Sequence, residues 1–345
     1  MSTPRPRMEV YLPADGSMTS LRYLDQIQVA PLLIGRTCAN AHAFLASVHI
    51  VCGHAHSQAG VSAMEQAMGI TPTPSTHTAR HLLVMTETVR EHGVRLALDW
   101  PRLPSKVSQP GLARPFLLLA ARARTALSVE QNPFMPGAQT APGPESAAFI
   151  AEIEALLETH YFGMPLSLWQ QLGTIDGIRE WATQTTGPAA DCIGWLLNMS
   201  DIAQAAARAL NDVSLYTRHA GAPLLQTLPK GTLLARHLAR LIDLASLPGK
   251  MRALLAGDGD TPAEETRLVV WTSRGALRHE CALSEGRIVS YKIITPTDTH
   301  FAQGGIARTM VENAPAMARP QTRKDFIQAV MQAFDPCVPY EIRSN

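Results

Sequence analysis

The sequence predicts an α+β chain, mostly helical, with strands near its two ends. Three observations predict this. Short alternating runs bounded by turn residues occur near the start and again around residues 267–295. Through the middle, apolar residues recur at three- and four-residue spacing, the period of a helix with one buried face. No internal repeat or low-complexity tract breaks the pattern. A single domain over residues 1–345 is expected, with the two termini meeting and surface loops near 103–110 and 132–144.

In chain order, Met8-Glu9-Val10-Tyr11-Leu12 alternates and stops at Pro13. Ala14-Asp15-Gly16 is a turn, and residues 18–23 return antiparallel. Residues 37–47 form a helix with Ala41, Phe44 and Leu45 on one side. Ser57 caps the next helix, Val61, Met64 and Met68 share its buried face, and Gly69 closes it. A long helix follows the Thr-Pro pairs at 71–74. It carries Leu82, Met85, Val89, His92 and Leu96 on one face and stops before Trp100-Pro101. Ile153, Leu156 and His160 form a further core stripe, as do Leu234, Leu238 and Leu241. Gly257-Asp258-Gly259-Asp260 is a plain turn, because the other oxygen ligands of a calcium loop are missing. Strands are expected at 267–271, 277–283 and 287–295, the last two joined at Glu285-Gly286. A final helix ends near Phe334. Asp335 precedes a proline and is therefore expected to be extended.

The 30 basic and 29 acidic residues nearly cancel, which argues against nucleic acid or an anionic membrane surface as the main partner. No apolar run is long enough to span a bilayer, and no apolar stretch of a secretion signal follows Met1–Arg7. A cytoplasmic location is expected. The five cysteines, Cys38, Cys52, Cys192, Cys281 and Cys337, are scattered and form no CxxC pair. That fits reduced thiols rather than a disulfide framework.

Two thiols stand out. Cys52 lies in His49-Ile50-Val51-Cys52-Gly53-His54-Ala55-His56, just before a helix start whose positive end could favour its thiolate. His54 and His56 share its parity and would point the same way from an extended segment. Cys337 follows a helix end and a proline, near a chain end that stays loose unless something ties it down. Spacing alone leaves both a metal ligand and a small core thiol open at each position. No phosphate-cradling glycine loop, catalytic triad order or paired-carboxylate pattern is present.

Several segments nevertheless resemble the large subunits of nickel–iron hydrogenases. Cys52-Gly53 followed by Val61-Ser62-Ala63-Met64-Glu65-Gln66-Ala67-Met68-Gly69-Ile70 resembles the first cysteine motif and its helix. Leu96-Ala97-Leu98-Asp99-Trp100 resembles a stretch downstream of it. Ser273-Arg274-Gly275-Ala276-Leu277 resembles the PRGxL segment, and the run ending Thr295-Pro296-Thr297 the YxxxxPTTW segment. Phe334-Asp335-Pro336-Cys337 resembles the start of the terminal DPCxxCxxH motif. The matches keep the family's order, and the stretch 104–266 is only weakly covered.

The departures set the implied function. The second cysteine of the first motif falls on Ala55 or in a short deletion, and that of the last motif on Tyr340. The terminal histidine and the cleaved tail are missing. Two thiolates are too few for a four-thiolate bimetallic centre, so neither nickel nor hydrogenase activity is expected. The pattern resembles the HupK/HoxV group of hydrogenase accessory proteins. That resemblance implies a non-catalytic maturation scaffold holding an iron with carbonyl and cyanide ligands, transiently, at Cys52 and Cys337. Arg274 and Thr297 would donate hydrogen bonds to the cyanides, and His54 or His56 would complete the iron's ligand set or tune Cys52. The implied partners are hydrogenase maturation proteins and a large-subunit precursor. A metal-free docking or chaperone protein for hydrogenase assembly is the alternative. Cys38, Cys192 and Cys281 match no motif and are expected in the core.

Overall fold

A computed structural model describes residues 5–13, 17–49, 51–127, 132–207, 211–258, 268–314 and 320–344. Among these are six strands: β1 (Arg7–Leu12), β2 (Ser20–Leu24), β3 (Val269–Thr272), β4 (Gly275–Ser284), β5 (Arg287–Ile294) and β6 (Tyr340–Ser344). The first helices are α1 (Cys38–Val48), α2 (Gly53–Met68), α3 (Pro74–Leu98), α4 (Pro110–Ala126) and α5 (Ser146–Leu157). Shorter ones follow: α6 (Leu166–Trp169), α7 (Ile175–Gln184), α8 (Pro188–Asn198), α9 (Ser200–Ala203), α10 (Leu215–His219) and α11 (Pro223–Gln226). The chain then runs through α12 (Leu233–Ala256), α13 (Pro296–Phe301), α14 (Ile306–Glu312) and α15 (Pro320–Phe334). The mostly helical α+β class is the one the sequence predicts.

Threonine marks several helix starts. Thr37, Thr73, Thr232 and Thr295 each accept a hydrogen bond from the backbone N–H three residues on. Proline follows Thr73 and Thr295 at the first helical position, where a missing N–H costs nothing. Gly69 and Gly257 close α2 and α12 at φ +68° and +80°, a left-handed cap that a side chain would strain.

The strands form two three-stranded sheets, ordered β2-β1-β6 and β3-β4-β5. The first is mixed: β2 runs antiparallel to β1, and β6 runs parallel to it, with Met8 opposite Tyr340. This parallel pair joins the two ends of the chain. The sequence expectation lacked β6, whose five residues are too short and charged to show a period. The second sheet is an antiparallel meander whose β4–β5 turn runs through Glu285 and Gly286 at φ +49° and +72°. Arg267, assigned to a strand from sequence, lies outside the described residues, as do Ala14-Asp15-Gly16 and Gly259-Asp260.

The main core gathers Leu82, Val89 and Leu96 of α3, Leu238 and Leu241 of α12, and Phe334 of α15. Glu65 and Arg80 are both buried and make a two-pronged pair at 2.8 Å for each prong. Arg80 Nε also donates to the Pro133 carbonyl, and Gly137 N donates to Glu65. The pair therefore pins the 132–144 loop to α2 and α3. Met68 does not join the core; it lies on the exposed last turn of α2.

Candidate functional site

Three parts of the chain meet at one place: the N-terminus of α2, the β3–β4 turn and the segment between α15 and β6. Cys52 is the residue before α2, and its carbonyl accepts the first helical bond from His56 N at 3.0 Å. Ser57, expected to cap this helix, is buried inside it. The cap comes instead from α3: Glu87 accepts from His54 N at 2.8 Å and Ala55 N at 3.0 Å, and Arg90 donates to the Val51 carbonyl. Because Glu87 takes these N–H groups, the helix end does not favour a Cys52 thiolate. Burial pushes the half-buried Cys52 thiol up to about 12, with Arg274 opposing and Glu87, Cys337 and Glu91 adding to the rise. Burial also raises Glu87 itself to about 7.

The β3–β4 turn carries Arg274. Thr272 Oγ1 accepts from Arg274 N at 3.1 Å and donates to the Gly275 carbonyl at 3.0 Å. Gly275 sits at φ +129°, and a Cβ there would lie 2.1 Å from the Val213 carbonyl oxygen, so only glycine lets the turn pack. Held in this way, Arg274 places Nη1 at 3.4 Å from Cys52 Sγ. Its Nη2 lies 2.9 Å from Glu91 and 3.4 Å from Asp335. Nε is buried and has no hydrogen-bond partner among the described residues.

Asp335 is not extended. Its φ is +46°, and its N–H bonds to the Met331 carbonyl at 2.8 Å as a terminus for α15. This strained conformation turns the carboxylate inward to Arg95 at 3.0 Å, Arg240 at 3.2 Å and Arg274. Burial works against its charge, but the three guanidiniums hold its acidity well below the usual carboxylate range. Pro336 and half-buried Cys337 follow. The Thr297 hydroxyl, at the start of α13, accepts from Cys337 N at 3.0 Å. Burial raises the Cys337 thiol, against the pull of Arg274 and this hydroxyl. The β1–β6 pairing and Thr297 supply the ties that a chain end needs. Arg274 thus touches the Cys52 thiol directly and, through Asp335, reaches the segment that carries Cys337.

The structure sets Arg274 against Cys52 and Thr297 against the Cys337 backbone, with Asp335 between the two pairs, while the two histidines have other partners. The segment is helical rather than extended, so equal parity does not mean a shared face. At 100° per residue His54 points away from Cys52, and its ring stacks on Phe134 with centroids 5.6 Å apart. His56 bonds His279 at 3.0 Å and stacks on His49 at 3.5 Å. Ala55 is buried, and the Tyr340 hydroxyl accepts from Gln328 at 2.6 Å. Cys38 and Cys192 are buried in the core, and Cys281 is half-buried beside it. Glu87, Glu91 and Arg95 escaped the sequence reading, although their four-residue spacing puts them on one face of α3. Their partners come from distant segments, so spacing could not show what that face meets.

Residues 29–108 match the protein-family model of the nickel-dependent hydrogenases. The fold is similar to a crystal structure of an NAD+-reducing [NiFe]-hydrogenase, with TM-score 0.61, 16% identity and coverage of 95% of this chain and 94% of that one. It is also similar to the Ni-Fe-Se hydrogenase of D. vulgaris Hildenborough, with TM-score 0.60, 14% identity and 93% of each chain covered. These likenesses define the class: a chain with the fold of a nickel–iron hydrogenase large subunit. In sequence, the chain is similar over 90–92% of its length to hydrogenase expression/formation proteins named HupV and HupK. The chain is 26% identical to HupV of Azotobacter chroococcum mcd 1, over 92% of this chain and 91% of the relative. It is 24% identical to HupK of Azotobacter vinelandii, again over 92% and 91%. HupK of Rhizobium leguminosarum bv. viciae is 26% identical, over 90% of this chain and 88% of the relative. No described helix is long and apolar enough to cross a membrane.

Proposed function

We propose that this chain is a non-catalytic scaffold in nickel–iron hydrogenase assembly, acting in the cytoplasm. It holds an iron–carbonyl–cyanide fragment at Cys52 and Cys337 and hands it to a large-subunit precursor. The full-length resemblance to hydrogenase expression/formation proteins supports a role in hydrogenase assembly. The observation that carries the finer reading is the buried Arg274 guanidinium, which contacts the Cys52 thiol and pairs with Asp335, two residues before Cys337.

The chemistry of the residues fits such a cargo. Among the described residues, no three His, Cys, Asp or Glu side chains converge as a metal-binding group. An ion held by two thiolates therefore takes its other ligands from outside, as an iron arriving with carbonyl and cyanide does. Burial disfavours the thiolate form of both cysteines, so loading a metal fragment would release protons and become tighter as pH rises. Arg274 balances the charge gained by the sulfurs, and its unpartnered Nε is a free donor beside the thiols. Raised thiol pKa values suit a carrier: reprotonation helps release.

The test is co-expression with the hydrogenase maturation proteins, purification without oxygen, and an infrared spectrum with an iron assay. Carbonyl and cyanide stretches are expected in the wild type and lost in Cys52→Ala and in Cys337→Ala. Iron-free wild-type protein that still co-purifies with the large-subunit precursor overturns the carrier reading in favour of a docking role. Hydrogen turnover by the isolated chain overturns both.

A further inference from the structure

A chain of hydrogen bonds runs inward from Arg274. Asp335 Oδ2 is shared: Arg274 Nη2 lies 3.4 Å from it, and Arg240 Nη2 donates to it at 3.2 Å. The same Arg240 nitrogen lies 3.4 Å from His92 Nδ1. A guanidinium only donates, so Nδ1 is the accepting nitrogen and carries no proton. The imidazole proton is then on Nε2, which donates to Asp243 Oδ2 at 3.2 Å. Asp243 Oδ1 accepts from Arg218 at 2.9 Å and His219 at 2.8 Å. The neutral Nε2–H tautomer of His92 is therefore set from both sides. His92, Asp243, Arg240 and Asp335 are all buried, so none can exchange a partner for water.

The arginines around Asp335 are not equivalent. Arg274 has Glu91 at 2.9 Å, and Arg95 has Asp99 at 2.8 Å. Among the described residues, Arg240 has no carboxylate except the shared Asp335. Its Nη2 instead has a second acceptor, His92 Nδ1.

We infer that His92 is a positioning residue for the dithiol centre: by accepting from Arg240 it leaves Asp335 Oδ2 shared with Arg274 and so sets how closely Arg274 approaches Cys52. This rests on the dithiol reading and adds a residue of α3 that touches neither thiol. Without the Nδ1 acceptor, Arg240 closes on Asp335, Arg274 loses that hold and leans on sulfur, and the sulfur becomes a weaker donor to a cation.

The test compares wild type, His92→Leu and His92→Gln; glutamine keeps one acceptor and one N–H donor. In the empty protein, the 15N–1H signal of Arg274 Nε is followed, assigned by its loss in Arg274→Lys. With cobalt(II) as the probe, affinity and the energy of the thiolate-to-cobalt charge-transfer band are measured. In His92→Leu we expect a displaced Arg274 signal, a band at higher energy and roughly 10-fold weaker binding. All three should return toward wild type in His92→Gln. An unmoved Arg274 signal in His92→Leu overturns the inference. So does equal disturbance by leucine and glutamine, which would mean that the imidazole only fills space, or a moved signal with cobalt binding unchanged. A wild type that binds no cobalt sinks the dithiol reading, while the Arg274 signal still decides whether His92 positions the guanidinium. If His92→Leu does not fold, Asp243→Asn, which weakens the acceptor of the Nε2 proton, is read against the same criteria.

Discussion

The guanidinium of Arg274 meets Cys52 with one terminal nitrogen and Glu91 with the other. A lysine ammonium, a single point of charge, cannot span both. Arg274→Lys is expected to weaken cobalt(II) binding by roughly 10–100-fold while the fold persists, read by titration of the charge-transfer band. Asp335 is the opposite case. It is buried and faces three arginines, so Asp335→Asn leaves positive charge uncompensated in the interior. A loss of about 3–5 kcal/mol in urea unfolding is expected. The sequence drew attention to Arg274 and Cys337 through their motifs. It misjudged Asp335, because the preference of a residue before proline is a local rule. Two buried guanidiniums and a half-buried third outweigh it.

Among the elements, α3 does most to build the site. One face carries core leucines, and another carries Glu87, Glu91 and Arg95 to the N-terminus of α2, Arg274 and Asp335. The Glu65–Arg80 pair joins α2 to α3 and holds the 132–144 loop. Arg80→Leu strands a buried carboxylate, and a loss of about 3–5 kcal/mol in urea unfolding is expected. Proteolysis within 132–144 should quicken in parallel. The longer helices α1, α2, α3, α5, α12 and α15 were legible, because caps and apolar period are local, whereas α4 and most of the short helices were not singled out. The start of α2 was missed because its cap, Glu87, lies more than 30 residues away in sequence. That error turned Cys52, His54 and His56 from a helical turn into an imagined extended row.

At the scale of the whole molecule, many histidines are held neutral by burial. His49, His54, His237 and His300 are lowered to about 4, and His279 to about 3. A group whose folded pKa lies below its unfolded value stabilises above the unfolded value, near 6.5, and that stability is lost as pH falls toward the folded one. The melting temperature is therefore expected to fall steeply from about pH 6.5 down to pH 4, measured by calorimetry; a flat profile there would contradict this burial. The convergence of the termini is also a property of the whole. Residues 7–12 and 340–344 are more than 300 positions apart in sequence, and the parallel β1–β6 pair sets them side by side.

Residue chemistry and local order were in the sequence: the mostly helical α+β class, the glycine punctuation, the ordered motifs, and Cys52 and Cys337 as the thiols to watch. These follow from interactions within a few residues of each other, or from a pattern spread along the chain. Only the tertiary structure decided that Arg274 meets Cys52 and Asp335, that Glu87 rather than Ser57 caps α2, that His54 and His56 turn to other partners, and that Asp335 faces three arginines. Those outcomes come from burial and from charge pairs between distant segments, whose energies exceed the local preferences that sequence spacing reports.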